Sequence, residues 1–150
     1  MTETLITKDM EDRIQRFQKR LSAHGVDGAL IVEKTDLYYL SGTKQAGHLF
    51  VPAGGAPLLM VRRDFERAVS ESPLQEIVPL NGYSELPRLI FGEKGVSPRR
   101  MGLEMDILPA NLYFLYRKLF PEAEWVDISP LIRETRMVKS EYELDLIRAA

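Results

Sequence analysis

The sequence predicts an α/β fold, a mixed sheet with helices on its faces. The chain opens with a helical repeat that stops at a glycine and passes directly into an apolar run suited to a buried strand. Strand-like and helix-like stretches then alternate along the chain, the pattern of a sheet covered by helices. Two early apolar runs are joined by a turn containing Gly54-Gly55, which makes them a hairpin and the sheet mixed.

The first helix is expected over residues 9–24, with Asp9 as its cap and Ile14, Phe17 and Leu21 recurring at helical spacing. Gly25 stops it, and Asp27 to Val32 forms the first strand. Thr35 to Leu40 reads as a short helix capped by Thr35 or Asp36 and closed by Ser41-Gly42. His48 to Val51 and Pro57 to Val61 are the hairpin strands. Asp64 caps a helix to about Ser70, Pro73 lies beyond its end, and Glu76 to Leu80 is the next strand. Ser84 to Gly92 is expected to be helical, with Ser84 as cap and Pro87 in its first turn. Arg100 to Glu104 is a strand, Pro109 to Phe120 a helix, and Glu124 to Ile128 a strand. Ser129-Pro130 starts another helix, and Ser140 with Glu143 forms the capping box of the last. That last helix carries Leu144, Ile147 and alanines on an apolar stripe. The stripe is expected either to dock on its own domain or, in the sharper reading, to be covered by a further domain of a longer protein.

Composition narrows the function. The 150 residues suit one domain, and a hydrophobic fraction of 45% with 28% charged residues is ordinary for a globular protein. A formal net charge of −2 supplies no global basic field for nucleic acid or an anionic membrane. The sequence has no cysteine, which excludes disulfides and thiolate metal sites within it. Met1 to Met10 lacks the apolar run of a signal peptide, and no segment approaches the length of a membrane span. A cytoplasmic protein is the simplest expectation.

Several motifs occur in a fixed order. Arg136, Lys139, Glu143, Ile147 and Ala150 fit the pattern R-x-x-K-s-x-x-E-l-x-x-I-r-x-A. Upstream lie Gly25-Val26-Asp27-Gly28-Ala29-Leu30-Ile31-Val32, Tyr38-Tyr39-Leu40-Ser41-Gly42 and Gly102-Leu103-Glu104, with Glu124 to Ile128 before the next helix. Together these resemble the amino-terminal domain of the creatinase, prolidase and Xaa-Pro aminopeptidase family, over nearly the whole chain. Tyr38 replaces the Asn often found in the Y-L-S/T-G motif. The resemblance implies a sheet of about six strands flanked by helices, of ribonuclease H-like type. It implies that residues 1–135 are the accessory domain. Residues 136–150 would be a junction helix leading to a C-terminal pita-bread catalytic domain. That later domain would hold two divalent metal ions (Mn, Co or Zn) through two Asp, one His and two Glu and activate a hydroxide.

The resemblance also implies roles. The domain would help to form a homodimer and shape access for proline-containing peptides, contributing no catalytic residue, metal ligand or cofactor of its own. The loop Thr43-Lys44-Gln45-Ala46-Gly47-His48 would lie near a substrate rim, with Lys44, Gln45 and His48 as its contacts. It lacks the aromatic–arginine pair of creatinases, which weighs against a creatinase-like amidinohydrolase parent. An interaction module, like the catalytically dead copies of this fold in histone chaperones, is the other alternative. Beyond the loop, His24 and His48 lack paired-ligand spacing, and Glu104 with Asp106 is a carboxylate pair that strand alternation puts on one face. Asp106 is expected to initiate a helix. Arg62-Arg63-Asp64 and Arg99-Arg100 read as local pairs or solvated edges, and Tyr113, Phe114 and Tyr116 as core and boundary packing.

Overall fold

The computed structural model describes residues 2–93, 98–138 and 141–149. Six strands form one mixed sheet: β1 (Gly28–Ile31), β2 (Gly47–Pro52), β3 (Leu58–Val61), β4 (Ile77–Pro79), β5 (Arg100–Leu103) and β6 (Glu124–Asp127). Their spatial order is β4-β3-β2-β1-β5-β6. β2 runs antiparallel to β1 and β3, whereas β4, β5 and β6 each join a parallel neighbour. The hairpin read from the sequence is the β2–β3 pair.

Period-two alternation sorts the apolar strand residues to two faces. Ala29, Ile31, Leu49, Val51, Leu59 and Val61 meet α1 (Thr2–Ala23), α2 (Lys34–Ser41), α3 (Phe65–Glu71) and α6 (Ser129–Met137) through Phe17, Leu21, Leu37, Leu40, Ala68, Leu131 and Ile132. Phe17 and Leu21 are fully buried, each worth about 1.5–3 kcal/mol relative to exposure. On the opposite face Leu30, Phe50, Leu58, Met60, Met101 and Leu103 pack against Leu86, Leu89, Ile90, Tyr116 and Phe120. These come from a 3₁₀ turn (Tyr83–Glu85) running into α4 (Leu86–Arg88) and a π turn (Leu89–Glu93), and from α5 (Ala110–Leu119) with the residue after it. Trp125 joins this cluster half-buried, its ring 6.3 Å from Tyr116 and 5.7 Å from Phe120.

Several boundaries differ from the sequence reading. The first helix begins at Thr2, so Asp9 is an interior residue that pairs with Arg13 at 2.9 Å instead of capping. Glu33, not Thr35 or Asp36, caps α2 by accepting from the Asp36 N–H at 2.9 Å. Asp64 occupies the N-cap position of α3 at φ 53° but makes no side-chain cap hydrogen bond. Ser84 lies inside the 3₁₀ turn and does not cap a continuous helix. Asp106 starts no helix, since α5 begins at Ala110. The final helix, α7, spans Glu141–Ala149, and the Ser140 half of its capping box lies outside the described residues. On it Leu146 and Ile147 are 55% and 59% exposed. Among the described residues no helix is long and apolar enough to cross a membrane.

Charged side chains stitch α1 to α6. Arg16 Nη1 donates to the carbonyls of Thr135 and Val138 at 3.0 and 3.1 Å. Beneath α6, Gly102 lets Ile128 lie directly on β5, because a Cβ at Gly102 would collide with the Ile128 side chain. Gly102→Ala should therefore destabilise the chain by about 1–3 kcal/mol through overpacking. Urea unfolding should also show the loss to be less than additive with Ile128→Ala, which vacates the contested space.

Candidate functional site

Parallel strands β1 and β5 lie side by side, and the helices that follow them cover opposite faces: α2 one, α5 the other. Such a reversal opens a crevice beyond the carboxyl ends of the strands, where α/β sheets commonly bind ligands. Glu104, immediately after β5, fills it and is 2% exposed. Its Oε1 accepts from the Val32 and Glu33 N–H groups at 3.0 and 3.3 Å, satisfying amides that continue past β1. Carboxylate oxygens of Glu33, Asp36 and Glu104 lie within 4.8 Å of one another. Burial first, then a hydrogen bond to Asp36, pushes the Glu104 pKa up to about 9, so the group is a neutral acid at pH 7. Asp36 in turn accepts from Arg136 Nη1 at 2.8 Å. The Arg136 guanidinium also lies 5.5 Å from the Tyr39 ring centroid.

Three clustered carboxylates raise the question of a metal ion. One oxygen of each is already engaged within the fold: Glu33 Oε2 caps α2, Asp36 Oδ1 accepts from a guanidinium, and Glu104 Oε1 accepts from two amides. The cluster instead ties the end of α6 to the carboxyl end of the central sheet. Glu104 and Asp106, paired by alternation in the sequence, serve different places. Asp106 accepts from Ser129 Oγ and Arg133 Nη1, both at 2.7 Å, on the outside of the sheet end.

The loop joining α2 to β2 is built from buried hydroxyls. Gly42 ends α2 at φ 83°, a left-handed conformation that glycine adopts without strain. Ser41 Oγ donates to the Leu37 carbonyl at 2.6 Å and accepts from the Thr43 N–H at 3.3 Å. Thr43 is fully buried and donates its hydroxyl to Glu71 Oε1 at 2.7 Å. Gln45 Nε2 reaches the same oxygen at 3.4 Å, and the Gln45 N–H donates to Thr43 Oγ1 at 3.2 Å. Lys44 points outward, exposed, with Nζ 5.6 Å from the ring centroid of Tyr38. The Thr43 hydroxyl is the largest cause holding the Glu71 pKa below the usual range, helped by Gln45, the Lys44 N–H and Arg67 against desolvation.

Of the three rim candidates, Lys44 and Gln45 stand on this loop at the surface. His48 does not: it is 1% exposed inside β2, where its Nε2 shares a 2.7 Å hydrogen bond with Tyr116 Oη. The rings of Tyr83 and Tyr116 meet it edge-on. Burial, reinforced by the Arg62 charge, lowers its pKa to about 4 and keeps it neutral. The alternation of β2 sends His48 to the Phe50 side of the sheet, a consequence of register rather than of the loop before it.

The remaining candidates resolve into local structure. Arg62 donates to Tyr83 Oη at 3.1 Å. The Arg99 and Arg100 N–H groups both donate to Asp27 Oδ2 at 2.9 Å, and Arg100 Nη1 donates to the His24 carbonyl at 3.0 Å. In α5, Tyr116 is core and Tyr113 boundary, but Phe114 is 63% exposed and lies outside the core cluster, its ring 5.8 Å from that of Tyr113. Sequence reasoning missed Glu33, Glu71 and the pairing role of Asp36. The only local signal at Glu71 is the i,i+4 spacing to Arg67, 3.8 Å away, whereas the loop residues it binds lie 26 and 28 residues off.

The model of the Creatinase/Prolidase N-terminal domain matches residues 13–138. The Xaa-Pro dipeptidase of Pyrococcus horikoshii is 22% identical over 143 residues, covering 94% of this chain and 39% of the relative. Among solved structures, the Xaa-Pro dipeptidase from Bacillus anthracis superposes with a TM-score of 0.81 at 22% identity, over 94% of this chain and 39% of that one. The N-terminal domain of cytoplasmic peptidase PepQ from Mycobacterium tuberculosis H37Rv gives 0.73 at 22% identity, over 83% of this chain and 98% of that one. The chain thus spans about 39% of the length of the Xaa-Pro dipeptidases it matches.

Two pH dependences follow. Glu104 has its folded pKa raised from 4.5 to about 9, so its stabilising contribution is complete below pH 4.5 and lost as pH rises through 9. Glu104→Gln should remove that decline, with a slope of at most about 1.4 kcal/mol per pH unit, in urea midpoints read from pH 6.5 to 9. His48 is depressed from 6.5 to about 4, so its contribution is present above pH 6.5 and lost as pH falls through 4. His48→Gln, which keeps a hydrogen-bonding group for Tyr116, should lose less stability than the parent between pH 6.5 and 4.

Proposed function

The chain belongs to the creatinase/prolidase N-terminal domain family, and from that premise we propose that it is the non-catalytic accessory domain of a metal-dependent, cytoplasmic Xaa-Pro peptidase. The observation that carries this reading is the coverage: the match fills 94% of this chain but 39% of the Xaa-Pro dipeptidases. The chemistry is accordingly assigned to a further C-terminal domain of pita-bread type reached through residues 136–150, and the two divalent ions to that domain.

The domain's own residues support a scaffolding part. Two of its strongly perturbed acid–base groups, Glu104 and His48, are sealed in the interior and engaged in internal hydrogen bonds. They hold the sheet together and do not face a substrate. Arg136, at the end of α6, is anchored to Asp36, which sets the direction in which the chain leaves toward the proposed catalytic domain. The exposed Leu146 and Ile147 of α7 give that domain an apolar footing. The loop with Lys44 and Gln45 is the part that would shape access for a proline-containing peptide, and pairing of two copies would bring it to a neighbouring active site.

The test is Xaa-Pro dipeptide hydrolysis with Mn²⁺ or Co²⁺, run on this 150-residue chain and on the longer protein. Turnover is expected in the longer protein alone. Turnover by the chain itself would overturn the scaffolding role, and inactivity of both would overturn the peptidase assignment.

A further inference from the structure

Two side chains of the loop from Thr43 to Gly47 converge on one outside acceptor, while the Arg62 N–H holds the Ala46 carbonyl at 3.1 Å. Glu71, the last residue of α3, takes the Thr43 hydroxyl at 2.7 Å and the Gln45 amide at 3.4 Å on a single oxygen. The backbone there approaches just as closely. A Cβ at Gly42 would stand 3.5 Å from the Glu71 carbonyl and 3.2 Å from Pro73, so residues 71–73 form the wall against which the loop turns. Thr43 is fully buried, so its hydroxyl has no solvent to fall back on if the carboxylate is removed. Lys44, between the two anchored residues, is the exposed one, and its ammonium stands by the half-exposed Tyr38 ring.

We propose that Glu71 is the positioning residue of this loop: by gathering Thr43 and Gln45 it fixes the direction in which Lys44 leaves the surface. The functional half of the inference rests on the reading that puts the loop at a substrate rim in the longer protein. A carboxylate that only decorated a helix end would leave the loop's order and Lys44's effect on substrate untouched. One that positions the loop controls both, and a side chain that keeps the acceptor oxygen restores both.

The experiment compares Glu71→Ala, Glu71→Gln and Lys44→Met. In the isolated chain, backbone amide exchange over residues 43–47 should quicken about tenfold in Glu71→Ala and return toward the parent rate in Glu71→Gln. Unchanged exchange in Glu71→Ala overturns the positioning role, whatever the longer protein does. In the longer protein, Glu71→Ala should raise KM for an Xaa-Pro dipeptide about three- to tenfold with kcat within about twofold, Glu71→Gln should recover it, and the rise should vanish in a Lys44→Met background. A rise that persists in that background overturns the link to Lys44. Quickened exchange with KM indifferent to both Glu71→Ala and Lys44→Met leaves Glu71 as the loop's anchor and removes the loop from the rim.

Discussion

Strand β1 sets the constraint on which the rest of the domain depends. Its four residues are all buried, and it hydrogen-bonds antiparallel to β2 on one edge and parallel to β5 on the other. Each residue must therefore suit two neighbours and a helix layer. Gly28 leaves room for the Phe50 ring, Ala29 lies opposite Gly102 on the α6 side, and Leu30 fills the α5 side. Where the ladder ends, the Val32 and Glu33 amides still need acceptors, and no strand carbonyl reaches them. Glu104 supplies the oxygen. Its neutrality at pH 7 follows from that position: burial disfavours the ionised form, and the hydrogen bond to Asp36 and the Asp36 charge add to that.

From this point the polar framework spreads outward through arginines. Arg136 reaches Asp36, and Arg13 lies 4.4 Å over the Tyr39 ring while donating to the Tyr39 carbonyl at 2.9 Å. Arg16 secures the last turn of α6. Planar guanidinium groups suit these places because one group can serve a carbonyl, a carboxylate and an aromatic face together. The apolar layer fixes which helices pack on the sheet. The arginines fix how α1, α2 and α6 meet one another at its carboxyl end.

Much of this fold was legible from the residues. The run at Ala29-Leu30-Ile31 announced a buried strand, and the run ending at Val61 with Gly54-Gly55 before it announced the hairpin. Helix ends were less legible, because caps depend on which polar atom arrives. Asp9 looked like a cap and is an interior ion-pair partner, while Glu33, between the expected strand and helix, is a cap. The segment from Ser84 to Gly92 reads as one helix but falls in 3₁₀, α and π turns in succession. Of the loop candidates, Lys44 and Gln45 were placed by their neighbours in sequence. His48 was misplaced because strand register, set by pairing with Met60, decides its face. The Glu71–Thr43 and Asp36–Arg136 contacts join residues far apart in the chain, so no local pattern encodes them.

Trp125 is the single tryptophan of the sequence, and it lies wholly on the α5 side of the sheet, beside Tyr116 and Phe120. Its indole N–H is buried without a hydrogen-bond partner among the described residues. The chain thus carries a built-in optical probe that sees one layer of a two-layer core. Its emission reports wetting of the α5 layer directly, while undocking of α1 or α6 on the far side would pass unseen until the sheet itself opened. Agreement between tryptophan emission and far-ultraviolet circular dichroism would therefore measure how tightly the two layers are coupled through four short buried residues.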